Sequence, residues 1–280
     1  MSSAVPSTSL ERTYRYLRIG VAGTAVVILV SVAVAASSVG WLPSLSDYYY
    51  TSARDSFVGA LIAASLALLA LSGRGVDRAL LDTAALFAPL IALIPTTVAP
   101  GTVPGVEVPC QYRCFPPEYE AGVATSVLTY LAIGTLTVLV AVLLRAMRQV
   151  SLGAVAVSLT ITVAWLLVVG GTWVFARDAF LQQGHFVVTI AFFALFAAVA
   201  VRNAFPRRTD PPPAVFRVLY LVIAALLVAV LIGYAVLLPS AADVDVPVVL
   251  IAEASALVLF SAFWVVQGVE RWSEPDPALR

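Results

Sequence analysis

Runs of about twenty apolar residues recur along this chain with only short polar breaks between them, and this constrains the fold more than any motif. Lipid offers no water to satisfy backbone amides and carbonyls, so each such run must close its own hydrogen bonds as a helix. Eight spans are predicted, over residues 19–39, 57–71, 79–98, 121–144, 152–174, 185–201, 218–238 and 247–266. The second and sixth are short and draw length from the polar turns before them. With 61% hydrophobic and 11% charged residues, a soluble fold would lack polar surface. The expectation is an all-α polytopic helix bundle in which residues 1–280 form a single integral membrane domain. The first run ends in Val32-Ala33-Val34-Ala35-Ala36-Ser37, similar to a signal-peptidase site, but it is longer than a signal h-region and reads as a retained helix.

All sixteen basic residues are arginine. With the N-terminus in the cytoplasm, only Arg54, Arg113 and Arg177 fall outside, and the rest, including Arg74, Arg207, Arg208 and Arg280, fall inside. Both termini are then cytoplasmic, which requires an even number of spans. Trp41 and Trp173 come to the outer interface, where amphipathic rings are favoured. The outer side is acidic, carrying Asp47, Asp55, Glu107, Glu118, Glu120, Asp178, Asp243 and Asp245. That balance argues against a nucleic-acid partner and leaves membrane lipids as the expected surroundings.

The longest outer loop, residues 99–120, is proline-rich and holds both cysteines as Cys110-x-x-x-Cys114. Two cysteines cannot complete a four-ligand zinc site, and this topology places them in an oxidising compartment, so a disulfide in an extracytoplasmic cap is expected. On the inner side, residues 203–213 read as a stiff basic linker.

Polar chemistry concentrates in residues 44–59. Ser44 and Asp47 stand at capping-box spacing, and a helix is expected from residue 45 to 71, roughly 40 Å long. Asp47, Thr51, Arg54 and Asp55 would then share one face, while Tyr49 and its two neighbouring tyrosines spread around the helix and at least one faces lipid as an interfacial anchor. Ala53-Arg54-Asp55-Ser56-Phe57 is echoed by Ala176-Arg177-Asp178-Ala179-Phe180, which would suit weak tandem halves, 1–150 and 151–280. The second copy leads into Gln182 and His185, the sole histidine. One histidine excludes a three-histidine zinc site and a bis-histidine haem, so no metal site, cofactor or catalytic residue is assigned.

Two acids fall inside the spans, where a carboxylate is costly and points to function. Asp82 has Arg78 one turn earlier on its own helix. Glu253 lies about 9 Å below the outer end of the last span and needs a partner from another helix: Arg54, Arg177, His185 or the Tyr234 hydroxyl. Arg54, Asp55, Arg177, Asp178, His185 and Glu253 are therefore expected to converge. The candidate ligand-binding set is Asp47, Tyr49, Thr51, Arg54, Asp55, Arg177, Asp178, Gln182, His185 and Glu253.

Ser44-Leu45-Ser46-x-Tyr48-Tyr49-x-Thr51-x-x-Arg54-Asp55-x-Phe57-Val58-Gly59 resembles the signature of a bacterial family of uncharacterised multi-pass membrane proteins, and His185 with the aromatic-rich helix ending at Asn203 is similar to a second block. The resemblance implies histidine in many relatives at the position where this chain has Tyr50, which weakens any metal role carried over from them. A looser similarity is to DRAM-like proteins, whose six-helix pattern this chain exceeds. The resemblance implies a bacterial plasma-membrane location and no particular activity. The leading functional expectation is non-enzymatic binding of a small molecule or lipid at the outer face, in a sensing or accessory role. Secondary transport is the alternative, on Glu253 and the proline-interrupted span holding Pro89. A third reading is a lipid hydrolase resembling the alkaline-ceramidase superfamily, whose zinc calls for histidines this chain lacks. No phosphate-cradling glycine loop and no G-x-S-x-G elbow is present.

Overall fold

A computed structural model describes residues 9–73, 75–149, 152–205, 212–237 and 247–272. Arg74, Arg207, Arg208, Asp243, Asp245 and Arg280, and part of the 203–213 linker, lie outside the described residues. The apolar runs form helices α1 (Ser9–Val39), α2 (Arg54–Leu71), α3 (Gly75–Leu93), α4 (Glu120–Ala146), α5 (Leu152–Phe175), α6 (Arg177–Ala204), α7 (Ala214–Leu237) and α8 (Val248–Glu270). Among the described residues the only β pairing is one antiparallel bridge, Val98 with Cys114. Seven of these helices are long and apolar enough to cross a membrane, which makes the chain an all-α multi-pass membrane protein. The remaining one, α3, carries Asp77, Arg78 and Asp82 in its first two turns.

Neighbouring helices pack in a closed order: α1 on α2, α2 on α3, α3 on α6, α6 on α7, α7 on α8, and α8 back on α1. Helices α4 and α5 pair beside this ring, against α3 and α6. Only Val123 and Val127 are buried along α4, so most of its apolar side chains face outward, as a lipid-facing helix requires. Aromatic rings fill the seam between α6 and α8: Phe192 and Phe196 meet Phe260, and Phe196 also meets Trp264. Each pair on one helix is four residues apart, which puts both rings on the same face.

Pro89 sits inside α3 and has no N–H to return to the carbonyl of Ala85. The Ser65 hydroxyl of α2 takes that carbonyl at 2.7 Å, so a sequence irregularity in one helix becomes a tie to the next. At one end of the bundle the two extremities of the described chain meet. Arg15 Nε donates to the Trp272 carbonyl at 2.6 Å, and the buried Arg18 donates to that of Arg271 at 3.3 Å. Arg271 in turn donates to Asn203 Oδ1 of α6 at 2.7 Å, and Tyr220 of α7 bonds Glu270.

At the other end the expected continuous helix from 45 to 71 is broken in two. Ser44 does cap, its Oγ accepting the Asp47 N–H at 3.0 Å, but the element it caps is a short 3-10 helix, Ser46–Tyr50. Thr51 is extended, with φ −117° and ψ −174°, and α2 begins only at Arg54. The Thr51 hydroxyl donates to the Tyr48 carbonyl at 2.8 Å and accepts the Ala53 N–H at 3.2 Å, giving the backbone a local alternative to the helix ladder. The break separates the polar residues: Asp47 turns fully inward, while Arg54 and Asp55 stay exposed.

Candidate functional site

The segment around the 3-10 helix is non-helical backbone against membrane helices, so each of its polar groups needs a protein partner. Glu253 of α8 supplies two. Its Oε2 accepts the Leu45 N–H at 2.6 Å and the Ser46 N–H at 3.1 Å. Its other oxygen, Oε1, is 2.7 Å from Ser46 Oγ. That hydroxyl is also 2.9 Å from Nε2 of His185 on α6, and His185 Nδ1 is 2.7 Å from the Ile94 carbonyl just past α3. Ser46 therefore joins Glu253 of α8 to His185 of α6, both of them in the candidate set read from the sequence.

Further ties hold the segment. The Pro43 carbonyl accepts the Leu250 N–H in the first turn of α8 at 3.1 Å. Tyr48 Oη donates to the Gly40 carbonyl at 3.0 Å and accepts the Leu42 N–H at 3.1 Å. Gly40 has φ +81°, a conformation glycine takes without strain, and it lets the chain turn off α1. Tyr50 donates to the Thr96 carbonyl at 2.5 Å, and burial pushes its phenol pKa up, which keeps it a donor.

Beside this cluster the fully buried Asp47 accepts Arg113 Nη2 on Oδ1 at 3.0 Å, and Arg113 also bonds the Thr97 carbonyl. Asp47 Oδ2 has no partner among the described residues. Burial raises the Asp47 pKa above its usual value, while the Arg113 charge works against that rise. Arg113 stands in the cap loop beside Cys114, which is disulfide-bonded to Cys110 and paired through its backbone with Val98. The cap thus delivers a cation to an acid on a distant segment.

The expected six-residue convergence divides into separate groups. His185 and Glu253 meet through Ser46, but both arginines of the Arg-Asp pairs are engaged elsewhere. Arg54 donates to Tyr49 Oη at 2.9 Å, its guanidinium 4.6 Å from the centre of that ring. Arg177 pairs with Glu120 of α4 at 2.9 Å and lies 4.3 Å from the Trp173 ring centre. Asp55 and Asp178 are exposed in the first turns of α2 and α6, where a negative charge suits the helix dipole. The repeated Ala-Arg-Asp-x-Phe is thus a helix start with a buried phenylalanine, Phe57 or Phe180, one turn in. Gln182 is half-buried three residues before His185, and Thr51 acts as the helix break. The carboxylate of Glu253 is satisfied by amides and a hydroxyl rather than by a guanidinium.

Sequence reasoning left Ser46 and Arg113 out of the candidate set. A signal for Ser46 was its place beside Ser44 in the polar segment; for Arg113 there was none beyond its proximity to the cysteines.

A cleft opens next to the cluster between α6, α7 and α8, with about 40 Å³ of interior space. Phe186, Ile190, Phe193, Val230 and Leu231 make its walls apolar; His185, Glu253 and Tyr234 also border it, but the surface it presents is almost wholly apolar. Thr189 also lines it, with a buried hydroxyl that has no partner among the described residues. By size and lining the space suits the apolar end of a chain-like molecule. The cluster does not have the order of a hydrolytic triad, in which the acid orients the histidine. Here a backbone carbonyl holds the histidine and the acid sits on the serine. Among the described residues no group of three or more histidine, cysteine, aspartate or glutamate side chains could hold a metal ion. Comparison with family models, curated proteins and solved structures finds no match.

Proposed function

We propose that this protein binds a small amphiphile or a lipid in the cleft between α6, α7 and α8, in a sensing or accessory role and without chemical turnover. The observation that carries this reading is the unpartnered Thr189 hydroxyl in a largely apolar wall. A buried donor without a partner costs about 1–3 kcal/mol, and a polar group on an entering molecule would remove that cost. Its apolar remainder would stay against Phe186 and Ile190 or in the bilayer.

Location belongs to the same proposal: a bacterial plasma membrane, with the resemblance of residues 44–59 to an uncharacterised family as its basis. So does the eighth crossing. The ends of α1 and α8 meet through Arg15 and Trp272, which calls for an even number of crossings, and α3 is the helix that completes it. The arginine bias puts that meeting point in the cytoplasm.

Lipid analysis of protein purified with its native membrane tests the binding. Ala252→Trp fills the cleft and is expected to abolish retention of one co-purifying amphiphile, and Thr189→Val to weaken it. An identical lipid complement in the wild type and Ala252→Trp would overturn the reading. Transport is the second reading, favoured by two titratable groups joined between spanning helices, and uptake by proteoliposomes would establish it.

A further inference from the structure

The hydrogens of the Ser46 cluster can be counted, because most of its donors and acceptors are fixed by chemistry. The Ile94 carbonyl only accepts, so His185 Nδ1 carries a hydrogen. Glu253 Oε2 accepts two amide hydrogens, so any proton on this carboxyl resides on Oε1. Between Oε1 and His185 Nε2 stands one hydroxyl with one hydrogen and contacts of 2.7 and 2.9 Å. If Glu253 were ionised and His185 neutral, two acceptors would compete for that hydrogen and one short contact would have none.

We propose that Glu253, Ser46 and His185 form a proton-binding site that holds one proton in common. Two arrangements satisfy every contact. In one, Glu253 Oε1–H donates to Ser46 Oγ, and the Ser46 hydroxyl donates to His185 Nε2. In the other, His185 Nε2–H donates to Ser46 Oγ, and the hydroxyl donates to the Glu253 carboxylate. They interconvert when the Glu253 proton passes to the serine oxygen and the serine proton passes to the imidazole, leaving Ser46 unchanged. The site therefore relays a proton between α8 and α6 without moving a heavy atom. A second added proton would leave the serine hydrogen without an acceptor, and removal of the shared one orphans an acceptor. One proton is the occupancy the geometry fits.

The surrounding ionisable groups do not replace that proton. Asp47 on the same segment is already paired with Arg113 of the cap. Tyr234 of α7 is within electrostatic reach of Glu253, Asp47 and Arg113. Tyr48 is engaged with Gly40 and Leu42, Tyr50 with Thr96, and Tyr49 with Arg54. Asp55 on α2 and Asp178 on α6 are exposed, and Arg177 is paired with Glu120.

The inference is independent of any molecule in the cleft. His185 is the sole histidine, so histidine labelled with nitrogen-15 reports one imidazole. At neutral pH, its Nε2 resonance shows whether that nitrogen is protonated, and an infrared difference spectrum against Glu253→Gln shows whether the carboxyl is. One signature without the other is expected: a protonated carboxyl with bare Nε2, or an ionised carboxyl with Nε2–H. Finding both groups protonated, or neither, would overturn the proposal. Glu253→Gln should fold, since its carboxamide oxygen can take the two amides and its NH₂ can face Ser46. It should lose the carboxyl band, and His185 should stay neutral as pH is lowered through the range where the wild type keeps its proton. In Ser46→Ala the carboxyl and imidazole signals should titrate at separate midpoints. Signals that still move together there would exclude the serine as the link. Amphiphile retention in Glu253→Gln, measured alongside, separates this site from the cleft.

Discussion

Asp47 is the residue with most at stake, because a carboxylate without solvent keeps one oxygen unsatisfied beside its arginine. An acid whose pKa is raised by folding binds its proton more tightly in the native state. Stability therefore increases as pH falls through the raised value, and the gain is complete below the ordinary value of 3.8. Thermal unfolding in detergent should show that slope in the wild type and a flatter one in Asp47→Asn. Arg113→Ala should cost about 2 kcal/mol, less than the full penalty for an orphaned buried ion because the Arg113 side chain is 36% exposed. Denaturant titration measures it. Glu253 and His185 were legible as candidates because a carboxylate in an apolar run and a sole histidine are conspicuous in composition. Their link through Ser46 was not, since it depends on contacts 139 and 207 residues apart in the chain. The arginines misled for a related reason. Opposite charge is visible in a sequence, but Arg54 and Arg177 each start a helix within reach of an aromatic ring and are held there.

Elements were easier to read than their junctions. Apolar length located every long helix, whereas the break at Thr51 arose from a hydroxyl that satisfies the backbone locally, and periodicity carries no trace of that. Pro89 predicts an opened ladder in α3, but only the structure supplies its answer in Ser65. Ser65→Ala should destabilise by about 1 kcal/mol, and the loss should shrink in a Pro89→Ala background where Ala85 regains a partner within its helix. A double-mutant cycle in unfolding free energy checks this, and strict additivity would count against the tie. In the cap, Cys110 and Cys114 close a short loop, four residues apart in sequence. Chain entropy limits that bond to about 2 kcal/mol. Replacing both by serine should speed amide exchange at the paired backbone positions 98 and 114 more than in α2 or α6.

For the whole molecule, topology can be measured from either side of the membrane. With both native cysteines replaced by serine, a cysteine at Tyr112 should react with an impermeant reagent added to intact cells, and one at Gln149 only after permeabilisation. The reverse pattern would invert the bundle and carry the cleft with it. The closed helix order has a consequence for how the chain is made. Amides of Leu45 and Ser46 follow directly on α1, yet the carboxylate that satisfies them belongs to α8, some two hundred residues later, and Pro43 waits likewise for Leu250. Every intermediate in synthesis before α8 therefore carries an unfinished segment beside lipid until α8 inserts and closes the ring on α1. A chain truncated before residue 247 would keep most of its membrane helices while lacking the partner that completes this segment. Such a product should be a substrate for membrane quality control, with its survival reporting on the docking of α8 rather than on the insertion of α1.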